Sequence, residues 1–238
     1  MTAGSGARIR AGFSHYAGIQ AYNLRIPRAQ QILGEERPVH TAEHLASAMF
    51  YLGVPRTDIP RASLFASGAK NPEQGTYAII HPFASAPDKA WPAEHFAELA
   101  SKIALRAVIL AGPQDDITPF KAFTVYQDES LDTVKRLLRD ASLFIGNDSG
   151  PAHMAAAFGL PTVVLFGPSN PATWSPWKTE ARVLQAQRPL PAASNKPGTS
   201  AASAPAASPS CACSSKDLQS ISVDDCLNAV QELRAVRA

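Results

Sequence analysis

From residue 77 onward the chain alternates short, continuously apolar runs with amphipathic stretches of helical period. Tyr77–His81 (YAIIH), 107–111 (AVILA), 143–146 (LFIG) and Thr162–Phe166 (TVVLF) read as strands buried on both faces, with a further short strand near Phe123. Between them, 92–105, Leu131–Asp140 and 151–158 place apolar side chains at helical spacing. Ser130 supplies an N-cap for the second of these helices and Gly159 a stop for the third. Strand and helix in strict alternation predict an α/β fold with a parallel, Rossmann-like sheet covered by helices on both faces. Ligands of such sheets sit at the carboxyl ends of the strands, so the loops after His81, Ala111, Gly146 and Phe166 are expected to share one rim.

The pattern is less regular on either side of this block. Residues 8–13 suit a short strand, and 41–52 a helix with Thr41 as N-cap, stopped by Gly53 and Pro55. Gly, Asn and Pro punctuate 66–75, which predicts a hinge or linker and a domain boundary there: 1–70 as one partial domain, 71–238 as the second. Residues 187–215 are rich in Pro, Ala and Ser, and with so few large apolar side chains they are expected to form a flexible excursion. Order is expected to return at Ser222, an N-cap for a helix over 223–236 whose Cys226, Leu227, Val230 and Leu233 share one face.

Composition narrows the class. A 238-residue chain that is 45% hydrophobic can bury a sizeable core. The net charge of +2 is too small, and its Lys and Arg too dispersed, for a nucleic-acid surface. No apolar run approaches the ~18 residues of a membrane span, and the first ten residues lack the apolar core of a signal peptide. The expected location is therefore cytoplasmic. The three cysteines, Cys211, Cys213 and Cys226, are odd in number and unevenly spaced, which supports neither a disulfide framework nor a zinc site; no metal is expected.

Four loops carry candidate chemistry. In GNDSGPAH (146–153) the helix begins at Gly150-Pro151, its free amides making an anion site; Asp148 can accept hydrogen bonds from sugar hydroxyls, and His153, one turn in, can reach a phosphate or hydroxyl. The spacing alone leaves this level with a blander reading in which Asp148 caps the helix and His153 is an ordinary half-buried histidine. In HPFASAPDKAWP (81–92), Lys89 shares the rim and could neutralise a diphosphate; an isolated lysine is otherwise a solvated surface group, and Trp91-Pro92 reads equally as an apolar anchor with a helix-starting proline. LAGPQDD (110–116) puts acidic side chains where ribose hydroxyls are often held, or forms a plain Asp-rich turn. FGPSNP (166–171) is a tight loop that could close over a nucleotide. The absence of GxGxxG, Walker, HExxH and GxSxG patterns argues against dehydrogenase, NTPase, zinc-protease and serine-hydrolase readings.

Taken in order, HPFASAPDKAWPAEHF, LAGPQDD and LFIGNDSGPAHMAAAFGLPTVVLFGPSNP strongly resemble glycosyltransferase family nine, the lipopolysaccharide heptosyltransferases. The resemblance covers about 77–185 well; 8–13 and 40–53 look like the end of that family's acceptor-side domain. It implies a GT-B-type architecture and a metal-independent, inverting transfer of heptose from ADP-L-glycero-D-manno-heptose to the lipopolysaccharide inner core at the cytoplasmic membrane face. By motif, Lys89 would meet the donor diphosphate, Asp148 the heptose hydroxyls, and the Ser149 and Gly150 amides the phosphate, with His153 supporting that site and Ser85 completing the donor-binding set. Lys89, Asp148 and His153 are the implied catalytic residues. Asp116 matches the acidic position that holds the ribose, with Asp115 as its neighbour. The resemblance also predicts an N-terminal glycine-rich loop bearing a catalytic aspartate, which 1–10 lacks. The expectation is thus an N-terminally truncated member. The second reading is a non-catalytic nucleotide-sugar-binding fragment or pseudoenzyme without that base. A sugar-nucleotide epimerase fits less well, since it leaves the lysine and DSGPAH loops unexplained together.

Overall fold

The computed structural model describes residues 2, 4–16, 18–186 and 218–235. The expected alternation is present as β3 (Tyr77–His81), α3 (Ala93–Lys102), β4 (Arg106–Ala111), β5 (Thr124–Gln127), α4 (Leu131–Asp140), β6 (Leu143–Asn147), α5 (Gly150–Phe158), β7 (Thr162–Phe166), α6 (Pro171–Trp174), β8 (Ala181–Gln185) and α7 (Val223–Ala235). Before it come β1 (Ala11–Phe13), β2 (Leu24–Ile26), α1 (Ala29–Leu33) and α2 (Thr41–Tyr51). The six strands from β3 to β8 form one all-parallel sheet in the order β5-β4-β3-β6-β7-β8. Chain order grows outward in opposite directions from β3 and β6, so a crevice is expected between their carboxyl ends.

The continuous apolar character of these strands follows from burial on both sides. Along β3 successive side chains point to opposite faces: Ala78 and Ile80 join a cluster with Phe96 and Leu99 of α3 and Cys226, Val230 and Leu233 of α7, while Tyr77 and Ile79 join Leu137 and Leu138 of α4 and Ala152 and Ala155 of α5. Each large side chain fully buried in this way contributes about 1.5–3 kcal/mol. The predicted ends of the helices hold where the caps were legible. Ser130 Oγ accepts from the Thr133 amide at 3.1 Å, Ser222 Oγ from the Asp225 amide at 3.1 Å, and Gly159 closes α5 in the left-handed conformation.

Several boundaries move. The helix expected over 92–105 stops at Lys102 because Ile103 is already extended, and the strand near Phe123 begins at Thr124. Strand β8 escaped the sequence reading because it is an edge strand, partly exposed along its length. The strand expected over 8–13 shrinks to three residues paired in parallel with β2. The cap of α2 is His40 and not Thr41. His40 Nδ1 accepts from the Ala42 amide at 3.1 Å, and Glu43 returns to accept from the His40 amide at 3.0 Å, so an imidazole nitrogen fills the role normally taken by a hydroxyl or carboxylate oxygen.

The 66–75 segment has no regular structure but is tied down. Ser67 donates to Asp132 at 2.8 Å, Arg139 to the Ser67 carbonyl at 3.1 Å, and Asn71 to the Tyr77 hydroxyl at 2.8 Å. The expected excursion at 187–215, with Cys211 and Cys213, lies outside the described residues. Cys226 is buried, which pushes its thiol pKa up to about 12. Among the described residues no helix is long and apolar enough to cross a membrane, and no group of three or more His, Cys, Asp or Glu could hold a metal ion.

Candidate functional site

The rim at the carboxyl ends of β3, β4 and β6 forms a cleft of about 320 Å³ in which Ser85, Asp115, Asp148, Ser149 and Gly150 meet around His81. A second cleft of about 330 Å³ continues from it across the ends of β4 and β5. It shares His81, Gly112, Gly150 and Pro151, and its other walls combine the apolar Leu110, Pro113, Leu131, Val134 and Met154 with Tyr126, Asp128 and Glu129. The first cleft gathers the candidate polar groups, and the second is lined mainly by apolar surface. The pair suits an elongated ligand with an anionic end and a flat apolar end. A larger groove of about 570 Å³ lies between β8 and α7 and brings none of the candidate residues together.

The β6–α5 junction is built as the sequence suggested. β6 runs to Asn147, Ser149 occupies the N-cap position in extended conformation, and Pro151 stands in the first turn of α5, where its missing N–H costs nothing. The first amides of a nine-residue helix point off its end without intrahelical partners. Among the described residues nothing beyond its own helix and chain neighbours lies within 4 Å of where a Gly150 side chain would start, and Gly150 lines the cleft. Asp148 is largely covered, its side chain 13% exposed, and its Oδ1 lies 3.9 Å from Nε2 of His153, which is 43% exposed. That separation is too long for a hydrogen bond but close enough for electrostatic coupling. Burial lowers the His153 pKa first, Asp148 opposes it and His40 adds to it, leaving the imidazole neutral at neutral pH.

Asn147, to which the sequence reading gave no role, is the fully buried tie beneath the cleft. Its Nδ2 donates to the Pro82 carbonyl at 2.7 Å and its Oδ1 accepts from the Trp91 amide at 3.0 Å. One side chain on β6 thereby clamps both ends of the β3–α3 loop. Trp91 is anchored in turn by donation from Nε1 to the Ile221 carbonyl at 3.0 Å and edge-to-face packing on Phe96. The loop is also pressed from the other side: a Cβ on Gly167, just after β7, would stand 2.9 Å from the Asp88 carbonyl. Side-chain clamps and a close backbone contact thus fix the segment that carries Ser85 and Lys89.

His81 is the second residue left without a role by the sequence, although it ends a strand otherwise made of apolar residues. Its Nδ1 lies 3.2 Å from Ser149 Oγ, bridging the ends of β3 and β6. Burial lowers its pKa to about 4 against the opposing pull of Asp115, so the ring is neutral.

The other predicted residues divide. Ser85, Asp148, Ser149 and Gly150 line the cleft directly, and His153 stands beside Asp148. Lys89 ends a 3₁₀ turn (Pro87–Lys89) in the clamped loop and is not part of the cleft's wall. Asp116 is exposed and turned away, its Oδ1 accepting from the Thr118 amide at 2.9 Å, whereas Asp115 lines the cleft with Oδ2 accepting from the Gly112 amide at 2.7 Å. The two carboxylates are adjacent in sequence, but opposite turns of the same loop separate them.

The family model of glycosyltransferase family 9 (heptosyltransferase) matches residues 2–200. The chain is 31% identical over 106 residues to lipooligosaccharide heptosyltransferase 2 of Campylobacter jejuni, covering 39% of this chain and 33% of that protein. It is 30% identical over 114 residues to lipopolysaccharide heptosyltransferase 2 of Escherichia coli K12, covering 42% of this chain and 33% of the relative. The matched region thus spans about a third of the length of these curated relatives. Among solved structures, a family 9 glycosyl transferase from Veillonella parvula superposes with a TM-score of 0.68 at 22% identity, covering 95% of this chain and 67% of that one. The Escherichia coli ADP-heptose lps heptosyltransferase II does so with a TM-score of 0.65 at 20% identity, covering 96% and 70%. The fold is α/β with a parallel, Rossmann-like sheet, of the GT-B type expected. Matched by the family model over most of its length, the chain belongs to glycosyltransferase family 9, the heptosyltransferases.

Proposed function

We propose that this chain is the donor-binding part of a heptosyltransferase that takes heptose from ADP-L-glycero-D-manno-heptose and passes it, with inversion, to the lipopolysaccharide inner core. The observation that carries this reading is the two-part cleft at the switch point between β3 and β6: a helix start and Asp148 on the polar side, an apolar slot on the other. In this reading the adenine occupies the apolar slot by Val134 and Met154. The diphosphate lies on the Ser149 and Gly150 amides, and the sugar hydroxyls bond Asp148. Asp115, which faces the cleft, holds the ribose in place of Asp116.

Transfer builds negative charge on the departing diphosphate. A helix N-terminus and an ammonium placed beforehand stabilise that charge without needing to reorganise. Lys89 supplies the ammonium from the clamped loop, and the amides at the start of α5 supply the dipoles, so no divalent cation is required in this scheme. His153, neutral and beside Asp148, donates or accepts a hydrogen bond at the sugar–phosphate junction. The acceptor is a lipopolysaccharide core sugar presented at the cytoplasmic membrane face, where the protein would work as a peripheral enzyme.

The test is calorimetric titration of the chain with ADP and ADP-heptose, together with a transfer assay on heptose-deficient lipopolysaccharide. Binding of both is expected, with ADP-heptose weakened by Asp148→Ala and by Lys89→Ala. Unchanged affinity in both variants would remove the proposed site, and binding without transfer would reduce the function to nucleotide-sugar binding.

A further inference from the structure

His81 lies where the two halves of the cleft join and lines both of them. Its Nδ1 faces Ser149 Oγ at 3.2 Å. A serine hydroxyl can donate to an imidazole nitrogen that carries no proton, and a neutral ring then holds its single proton on the other nitrogen. Among the described residues no protein group bonds Nε2. We propose that His81 is a further donor-binding residue, a neutral imidazole held by Ser149 as the Nε2–H tautomer so that it donates a hydrogen bond to the diphosphate of the nucleotide sugar.

This inference rests on the reading of the cleft as a nucleotide-sugar site and adds a contact that the candidate motif residues do not include. Three features favour a hydrogen-bond donor here over a bland core histidine. The ring closes a strand whose preceding four residues are all buried and apolar, yet it is the one that reaches the cleft. Its partner Ser149 is the N-cap residue of α5, so ring and helix amides converge on one spot. The carboxylates that share the cleft, Asp115 and Asp148, offer no donor to a phosphate, leaving that task to amides, hydroxyls and this ring. Burial keeps the ring from charging in the absence of ligand, so it does not pair permanently with Asp115 and is available to the phosphate oxygens.

The experiment compares ADP with adenosine by calorimetry, using the chain as it stands and the variants His81→Leu and His81→Gln, each first shown by thermal melting to be folded. A hydrogen bond to a charged acceptor predicts that His81→Leu weakens ADP about ten- to a hundredfold while leaving adenosine unchanged. His81→Gln, whose amide can donate from a similar position, should recover much of the loss. Equal losses for ADP and adenosine, or none for ADP, would overturn the assignment. If His81→Leu does not fold, ring ¹⁵N shifts of the unsubstituted protein decide: an Nε2–H tautomer whose Nε2 resonance moves on adding ADP is expected, and an Nδ1–H tautomer, or an Nε2 indifferent to ADP, refutes it. Failure of the unsubstituted chain to bind ADP at all would instead bring down the nucleotide-sugar reading itself, and this inference with it.

Discussion

Asn147 offers the sharpest perturbation of the site's support. It is fully buried, and its amide satisfies two main-chain groups at once, the Pro82 carbonyl at 2.7 Å and the Trp91 amide at 3.0 Å. Asn147→Ala leaves both groups buried without partners. At about 1–3 kcal/mol each, the loss is about 4 kcal/mol, a large share of the ~5–15 kcal/mol by which a domain is stable. For a chain of this size that lowers Tm by about 8–16 °C. Asn147→Asp is the more informative change. The introduced carboxyl still accepts from Trp91, but when ionised it has no proton for Pro82, and burial raises its pKa above the ordinary carboxylate value. A group whose folded pKa is raised contributes stability that is present at low pH and lost as pH rises through the folded pKa. The deficit of Asn147→Asp relative to the unsubstituted protein should therefore shrink as pH is lowered from 8 to 5, while that of Asn147→Ala stays constant. Thermal melts followed by circular dichroism across this range read both. An alanine variant within about 2 °C of the unsubstituted protein, or two variants whose deficits run parallel with pH, would refute the clamp.

Three further outcomes follow from the same geometry. His81 has a folded pKa of about 4 against 6.5 when free, so it contributes stability above pH 6.5 that is lost as pH falls towards 4; the loss is about 3 kcal/mol, and urea titrations at pH 7 and 4.5 should show a flatter dependence in His81→Gln. Gly167→Ala would set a methyl 2.9 Å from the Asp88 carbonyl and 3.0 Å from Leu218 Cδ1. Because the first contact is backbone, the Lys89 loop must shift, at a cost of about 1–3 kcal/mol and severalfold in ADP affinity; equal affinity by calorimetry would show that the loop tolerates displacement. His40→Ala removes the cap of α2 and the 2.8 Å bond from His40 Nε2 to the Ser175 carbonyl, so a drop of about 1–2 kcal/mol in denaturant unfolding is expected, and no change would mean that neither bond is structurally significant.

The central sheet was legible because burial on both faces writes itself as uninterrupted Val, Ile, Leu and Phe, and four of its six strands carry that signature. β8 lacked it for the opposite reason: an edge strand with partly exposed residues looks like coil. The caps at Ser130 and Ser222 were visible because serine oxygens are the usual capping acceptors, whereas His40 was invisible because imidazole seldom takes that role. Within the site, the residues meant to touch a ligand could be picked out by their motif, but Asn147 and His81 act on partners 65 and 68 positions away in the chain. No local pattern encodes such a contact. Asp115 and Asp116 show the same limit at the smallest scale, since one faces the cleft and the other a turn, and only the path of the loop after β4 decides which.

The placement of these hidden residues follows from strand order. Where the order reverses, between β3 and β6, the two following loops leave the sheet in diverging directions and open a crevice between them. A crevice that must grip a charged ligand without reorganising therefore needs its own ties across the gap. Asn147 joins β6 to the start and end of the β3 loop, and Ser149 joins α5 to the end of β3 through His81. Both ties use side chains at the last turn or strand residue before the ligand, so each shapes the site and strengthens the fold with the same atoms. The two effects should then move together: substitutions at Asn147 that lower Tm should weaken ADP in proportion, whereas substitutions of Asp148 or Lys89, which bear on the ligand and on no buried backbone group, should weaken ADP-heptose at nearly unchanged Tm.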